Sequence, residues 1–349
     1  HRDLHSFPTR RSSDLSRRYV YMSVSIKEIA RMCGVSEGTV DRALNNRSGI
    51  KEETKKRILE TAEKMNYHPN HLAKSLATGC TKTIGVVCFN IIDSFFSSLI
   101  EVIENTAKEQ GYFIMLILTK NDKEKELEAI KYLTERKVDG LILFPAVKGS
   151  SYVNMLKRLD IPVVTIYNRI SDDFVHIDTD CASIMREAVS FIHSKGYDTI
   201  AYLDIDFPKA VSENKNIYSF QERRKGYVSG IEECGLKEII FDGFDKDSIL
   251  EYISVTSGKK ALLCAYDTFA VRVLGICRQN GYKVPSDIGL MGYNNMDVLR
   301  DIYPRLYSVD CNIREIGRIA FESLLAQIKG RTDVSDSMIE CSISYGESL

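Results

Sequence analysis

From Thr83 onward the 349-residue chain alternates short apolar runs with longer segments whose apolar positions recur every three or four residues. The runs are Thr83–Phe89, Tyr112–Thr119, Val138–Phe144 and Pro162–Tyr167, then Thr199–Ile205, Glu238–Asp242, Ala261–Tyr266 and Ile288–Tyr293. Between them lie helical patterns such as Phe96, Leu99, Ile100, Ile103 and Ala107, and the segments Asp180–Lys195 and Thr268–Asn280. A run with few polar positions has no face to give to water, so such strands must be covered on both sides. Strands of this kind alternating with helices predict an α/β fold with parallel sheets, and two series of them predict two similar subdomains. Ligands then bind at the carboxyl ends of the strands, in the cleft between the halves.

The chain before Thr83 follows a different rule. Ser25 and Glu28 have the spacing of a capping box, in which each side chain satisfies an orphan amide of a helix start. Ile26, Ile29, Ala30 and Cys33 then mark one helix face, and Gly34 stops the helix. Ser36 can cap the next helix, with Val35 and Val40 at the two staple positions around it. Two short helices, Ile26–Cys33 and Glu37–Leu44, joined by a tight turn make a helix-turn-helix pattern. A third helix follows with Ile58, Leu59, Ala62 and Met65 on its apolar face. Lys51 stands where a Ser or Thr cap is usual, and Glu52 and Glu53 compensate through the helix dipole.

Charge separates this head from the body. The whole chain has a net charge of −1, yet residues 23–82 hold 11 basic and 7 acidic side chains, and residues 83–349 hold 31 and 39. A basic head on an acidic body points to an anionic partner for the head alone. Thr39, Arg42, Arg47 and Lys51 are of the types that reach base edges and phosphates.

The segment VSIKEIARMCGVSEGTVDRALNNRSGIKEETKKRILETAEKMNYHPNHLAKSLATGCTKTIGVV resembles the head and hinge of the lactose-repressor (LacI/GalR) family. It contains the GVS-x-x-TV-x-R turn, the NY-x-PN joint and the A-x-x-L hinge. The resemblance implies an operator-DNA partner, with a recognition helix whose contacts are Ser36, Glu37, Gly38, Thr39, Arg42 and Asn45. It places Tyr67 and Asn70 near the DNA backbone, and a hinge helix at His71–Thr78 with Ala73 near minor-groove base edges and Leu76 as an apolar wedge. Two positions depart from the family pattern. Gly38 leaves a reading position without a side chain, and Asp41 replaces a more usual Ser. Asp41 can pair with Arg42 or a lysine, or accept from a cytosine amino group.

The body is similar to the family's periplasmic-binding-protein-like core, with KVDGLILF, VPSDIGLMGYNN and a late helix Asn312–Lys329 as landmarks. The expected division is a leader at 1–22, a head at 23–70, a hinge and linker at 71–82 and a core at 83–349. Within the core, 83–170 and 296–329 form one subdomain and 171–295 and 330–349 the other. The crossings then fall near Arg169–Val175, Asn294–Tyr307 and Gly330–Ser337, and Met338–Tyr345 reads as one strand.

Strand-end position selects the effector-binding candidates. These are Phe95, Phe96, Asn168, Arg169, Arg223, Phe244, Asp267 and Asn294. Arginine, aspartate and amides around aromatic faces suit a polyhydroxylated ligand, most simply a carbohydrate. Each has a plainer alternative. Phe95 and Phe96 fit helix core, Arg169 a hinge ion pair and Asp267 a helix cap; Arg224 competes with Arg223. By family position, Arg223 matches a ligand-binding arginine.

Other chemistries find little support. Nine cysteines from Cys33 to Cys341 include no CxxC pair, so free thiols are expected rather than a disulfide framework. No metal or other cofactor is expected; His68 and His71 are three apart, with Pro69 between. The pairs Asp178/Asp180 and Asp204/Asp206 come with no nucleophile, and GxGxxG after a strand, a P-loop and GxSxG are all absent, so no enzyme is expected. No stretch reaches the roughly 20 apolar residues of a membrane span. Residues 1–21 lack the apolar core of an export signal, Met22 reads as the start, and the cytoplasm is the expected location. No leucine heptad follows Tyr345, so a homodimer is expected rather than a tetramer. The alternative, a transporter-type sugar-binding protein, keeps the clamshell but has no use for the head.

Overall fold

The computed structural model describes residues 24–68, 75, 79–92 and 94–349. The chain divides between Thr78 and Gly79 into two compact units. The expected leader and all but Ser75 of the hinge helix lie outside the described residues.

The head contains α1 (Ile26–Cys33), α2 (Glu37–Leu44) and α3 (Glu52–Lys64). The capping box forms: the Ser25 N–H donates to the Glu28 carboxylate at 2.8 Å, and the Glu28 N–H donates back to the Ser25 hydroxyl at 3.3 Å. Gly34 ends α1 in the left-handed region at φ 63°, a conformation that costs glycine little. Ile29, Ala30, Cys33, Val40, Ala43, Ile58 and Ala62 make the small core. Leu59 does not join it; the side chain is 42% exposed, because Ile58 takes the inward position on α3. Lys51 makes no side-chain cap.

The body is built on two six-stranded sheets. The first takes β1 (Thr83–Cys88), β2 (Phe113–Leu118), β3 (Leu141–Leu143), β4 (Val163–Ile166), β5 (Val175–Thr179) and β11 (Ser337–Ile339), in the order β11-β5-β4-β3-β1-β2 and parallel throughout. The second takes β6 (Thr199–Asp204), β7 (Ile240–Asp242), β8 (Lys260–Cys264), β9 (Gly289–Tyr293), β10 (Tyr307–Asp310) and β12 (Ser342–Ser344), in the order β12-β10-β9-β8-β6-β7. Only β12 runs antiparallel, against β10. The helices are α4 (Ser94–Glu109), α5 (Lys123–Glu135), α6 (Ser150–Lys157), α7 (Cys181–Ser194), α8 (Phe207–Ser212), α9 (Tyr218–Glu233), α10 (Lys246–Val255), α11 (Asp267–Gln279) and α12 (Ile313–Ile328).

The α4–α12 pair covers one face of the first sheet, and α7–α9 covers one face of the second. The opposite faces carry α5 and α6 on the first sheet and α10 and α11 on the second. Nearly every residue of the inner strands β1, β3, β4, β5, β6, β8, β9 and β10 is therefore buried, as the apolar runs require. The edge strands β2, β7, β11 and β12 are more open, and on β2 Phe113 is 68% and Leu118 38% exposed.

The chain crosses between subdomains at Asp180, at Cys311–Asn312 and at Glu340–Cys341. Each crossing lies later than the sequence reading placed it. Val175–Thr179 and Tyr307–Asp310 are strands, not connections, and Met338–Tyr345 breaks into β11 and β12 on different sheets. The cause of the misreading is polar content. In β5, His176 lies between Thr165 Oγ1 (2.9 Å) and Asp178 Oδ2 (3.2 Å), so its buried polar groups satisfy one another. In β10, the Ser308 hydroxyl donates to Asp267 at 2.6 Å.

Gly226 on α9 has no room for a side chain; a Cβ there would meet the Ala182 carbonyl oxygen of α7 at 2.2 Å. Gly275 on α11 faces open space in ordinary helical conformation. Gly226→Ala should therefore destabilise by about 1–3 kcal/mol through overpacking, and Gly275→Ala should stabilise by about 0.5–1 kcal/mol. Denaturant midpoints of the two variants check this pair of opposite signs.

Candidate functional site

On the head, α2 turns Ser36, Glu37, Gly38, Arg42 and Asn45 outward, with Thr39 half-buried, while Val40 and Ala43 face the core. The Ser36 hydroxyl caps the helix by accepting from the Thr39 N–H at 3.2 Å and lies 2.9 Å from the Thr39 hydroxyl. A Cβ at Gly38 would meet nothing closer than 3.9 Å, so the helix presents bare backbone there. Asp41 is paired, and not with Arg42. It accepts from Asn45 Nδ2 at 2.8 Å and lies 3.3 Å from Arg47 Nη1. This fixes the Asn45 amide in place, because Nδ2 also donates to the Asp41 carbonyl at 2.9 Å. Tyr67 packs half-buried against the head core, and burial raises its pKa. Asn70, Ala73 and Leu76 lie outside the described residues.

In the body, a cavity of about 460 Å³ opens at the carboxyl ends of the strands, with walls from both subdomains. Phe89 follows β1, Tyr167 follows β4, Tyr266 follows β8 and Asn294 follows β9, and all four line it. So do Phe95, Phe96, Asn168 and Arg223 among the candidates read from the sequence. Phe96 sits edge-on to Phe89 (5.7 Å) and Phe95 (5.3 Å), and Phe95 contacts Tyr167 at 5.6 Å. Phe95 is 4% exposed, so it serves as helix core and cleft wall together. Asn168 clasps the halves, its Nδ2 donating to the Pro145 carbonyl at 3.0 Å and the Asn216 carbonyl at 3.1 Å.

Arg223 is 5% exposed. Its guanidinium lies 3.7 Å from the Tyr293 ring centroid, and Nη1 donates to the Ala265 carbonyl at 2.6 Å. The competing Arg224 points elsewhere, ion-paired with Asp204 (3.0 Å) and Asp242. Among the described residues, three buried polar atoms on residues that line the cavity have no hydrogen-bond partner: Arg223 Nε, Tyr167 Oη and Asn121 Oδ1. Amide and guanidinium side chains such as Asn121, Asn216 and Arg223 beside aromatic rings make a lining suited to a ligand with several hydroxyls.

Three candidates do not line the cavity. Arg169 is held by Asp172 (2.7 Å) and Asp336 (2.8 Å), which raise its pKa, the ion-pair reading. Phe244 packs on Phe269 at 5.5 Å beneath Arg272, in the outer core of the second sheet. Asp267 is fully buried and accepts from the Met296 N–H (2.7 Å) and the Ser308 hydroxyl (2.6 Å). Strand-end position alone does not say which way a side chain turns. The same signal, extended to aromatics one or two residues after strands, would have found Phe89, Tyr167 and Tyr266; Asn121, Asn216 and Phe220 sit on loops and a helix that it does not reach. Among the described residues, no group of three or more His, Cys, Asp or Glu could hold a metal, and no helix is long and apolar enough to cross a membrane.

Comparison with known proteins adds the following. The profile of the lacI family of bacterial regulatory proteins matches residues 25–70, and that of a periplasmic binding protein-like domain matches residues 189–349. The HTH-type transcriptional repressor PurR of Vibrio campbellii is 31% identical over 317 residues, covering 88% of this chain and 92% of that protein. A Lac repressor structure bound to ONPG in the repressed state superposes with a TM-score of 0.82 at 19% identity, covering 94% of this chain and all of the other. A periplasmic binding protein/LacI transcriptional regulator from Alkaliphilus metalliredigens, complexed with D-xylulofuranose, gives a TM-score of 0.68 at 25% identity over 76% of this chain and 98% of that one.

Removing the Asp267 carboxylate strips an acceptor from two donors, one of them the buried Ser308 hydroxyl. Asp267→Ala is expected to cost about 1–3 kcal/mol of stability, read as a lower melting temperature.

Proposed function

This chain belongs to the lacI family of bacterial regulatory proteins, and from that premise we propose that it represses transcription as a homodimer on a near-palindromic operator, under control of a sugar or sugar derivative bound in the cleft. It is a DNA-binding transcriptional repressor with a ligand-binding core. Its work is binding rather than catalysis, and an operator partner puts it in the cytoplasm.

The observation that carries the effector reading is a cleft lined by Asn121, Asn168, Asn216 and Arg223 beside Phe89, Phe96 and Tyr266. Hydroxyl groups pair with amide and guanidinium side chains, and aromatic faces cover the C–H face of a sugar ring. The relative complexed with D-xylulofuranose supports the same class. For the DNA partner, the support is the outward set Glu37, Gly38, Arg42 and Asn45 on a capped helix. Asn70, Ala73 and Leu76 complete the proposed DNA contacts. The homodimer is supported by the apolar edge strand β2, whose Phe113 and Leu118 are exposed. A two-fold dimer reads two inverted half-sites, hence the near-palindrome.

The ligand acts only through differential affinity for open and closed arrangements of the two halves. Coupling of about 1–3 kcal/mol is usual for such a switch. Thermal-shift screening against pentoses and hexoses tests the effector class; a stabilising sugar whose shift is lost in Arg223→Lys supports it, and no shift from any sugar refutes it. In a gel shift with upstream DNA, Arg42→Ala is expected to weaken binding and lower the slope of log K against log salt by about 0.9 for one lost phosphate contact. An unchanged slope removes Arg42 from the phosphate contacts.

A further inference from the structure

Each of the three crossings between subdomains has a cysteine in it or directly beside it. Cys181 follows the first at Asp180, Cys311 lies in the second and Cys341 in the third. They form one cluster. Cys181 Sγ is 3.3 Å from the Thr179 hydroxyl and 3.4 Å from the Tyr293 hydroxyl. Cys311 and Cys341 are neighbours in this cluster. Strand register explains why. The antiparallel β10–β12 pair aligns Val309 with Ile343 and Asp310 with Ser342, so the next step sets Cys311 opposite Cys341. Directly opposed antiparallel residues have Cα atoms about 4.5–5.5 Å apart, inside the range of about 4.4–6.8 Å that a disulfide spans.

We propose that Cys311 and Cys341 are a reversible thiol-modification site, oxidised by hydroperoxides to a disulfide that ties the second crossing to the third. The two thiols are unequal. Cys341 is half-buried and lines a surface hollow of about 350 Å³ with Asp180, Ser183 and Glu340, so a small peroxide reaches it. Cys311 is fully buried. The neighbouring Cys311 holds the Cys341 thiol below its ordinary range against burial, with help from Thr179 and the buried Arg223 charge. Burial pushes the Cys311 thiol up. Low pKa with access marks the attacking sulfur, and the neighbour is the resolving one.

The Cys341 thiolate attacks the peroxide O–O bond, taking one oxygen as a sulfenic acid while the alcohol or water leaves with a proton. The Cys311 sulfur then attacks the sulfenic sulfur, forming the S–S bond and releasing water. Both sulfurs are oxidised, and the peroxide takes up the two electrons. A dithiol reverses the step. Hinge closure works through backbone changes in the crossing segments. A bond between two of them opposes any sliding of one past the other, so oxidation restrains the closure on which the cleft depends.

The test uses the full-length protein and needs neither DNA nor a sugar, so its outcome is separate from that of the repressor reading. After hydrogen peroxide treatment, alkylation and digestion without reductant, a Cys311–Cys341 cross-linked peptide is expected, and dithiothreitol should remove it. Cys341→Ser should abolish the cross-link, and Cys311→Ser should leave a sulfenic acid on Cys341 that dimedone traps. Cys341 should react about tenfold faster than Cys88, whose thiol burial pushes up to about 12. Amide hydrogen exchange across residues 310–313 and 340–342 should slow on oxidation in the native protein and not in Cys311→Ser. Both thiols remaining open to alkylation after peroxide overturns the site, and a disulfide that leaves exchange unchanged overturns the restraint.

Discussion

Burial of both sheets on both faces is the constraint from which the rest of this body follows. Strands such as Thr83–Cys88 and Lys260–Cys264 are apolar at nearly every position, so helices must lie above and below them. That cover leaves only the carboxyl ends open, and two sheets with their open ends facing each other enclose a cleft. Phe89, Tyr167 and Asn294 reach it because each comes directly after a strand, and Tyr266 because it comes two residues after β8. The inner core runs without a break from Ile84 and Phe95 in one subdomain to Tyr202 and Tyr293 in the other.

Polar groups buried near the crossings are nearly all spoken for. His176 is held from both sides by Thr165 and Asp178, and its N–H donates to Asp336 at 2.9 Å. Burial raises the pKa of Asp178, and the His176 hydrogen bond opposes that rise. Asp267 joins the start of α11 to the Met296 amide and to β10. Asn121, Tyr167 and Arg223, by contrast, are among the residues that line the cleft.

The head works on a smaller scale with the same economy. Its core is a handful of small and branched side chains, and hydrogen-bonded caps rather than bulk fix where α1 and α2 begin. Asp41 shows how a departure from the family pattern is absorbed: Arg47 and Asn45 take up its charge. The outward side of α2 is then defined by Glu37, bare backbone at Gly38, Arg42 and an Asn45 already oriented.

Much of this was legible in the chain itself. Capping residues and period mark α1 and α2 to the residue, because a helix start needs local hydrogen-bond partners that sequence spacing reveals. The two series of apolar runs predict two parallel sheets, because burial on both faces leaves a compositional trace. Phe95, Phe96, Asn168, Arg223 and Asn294 were legible as cleft residues from their places after strands or in a family motif. Tertiary structure alone decided where the chain crosses, since β5 and β10 carry His176, Asp178 and Ser308, whose polarity hides a strand until their distant partners are known. It also decided that Asp267, Arg169 and Phe244 turn away from the cleft, and that Cys311 meets Cys341. Residues far apart in the chain are brought together by register and packing, which local sequence does not encode.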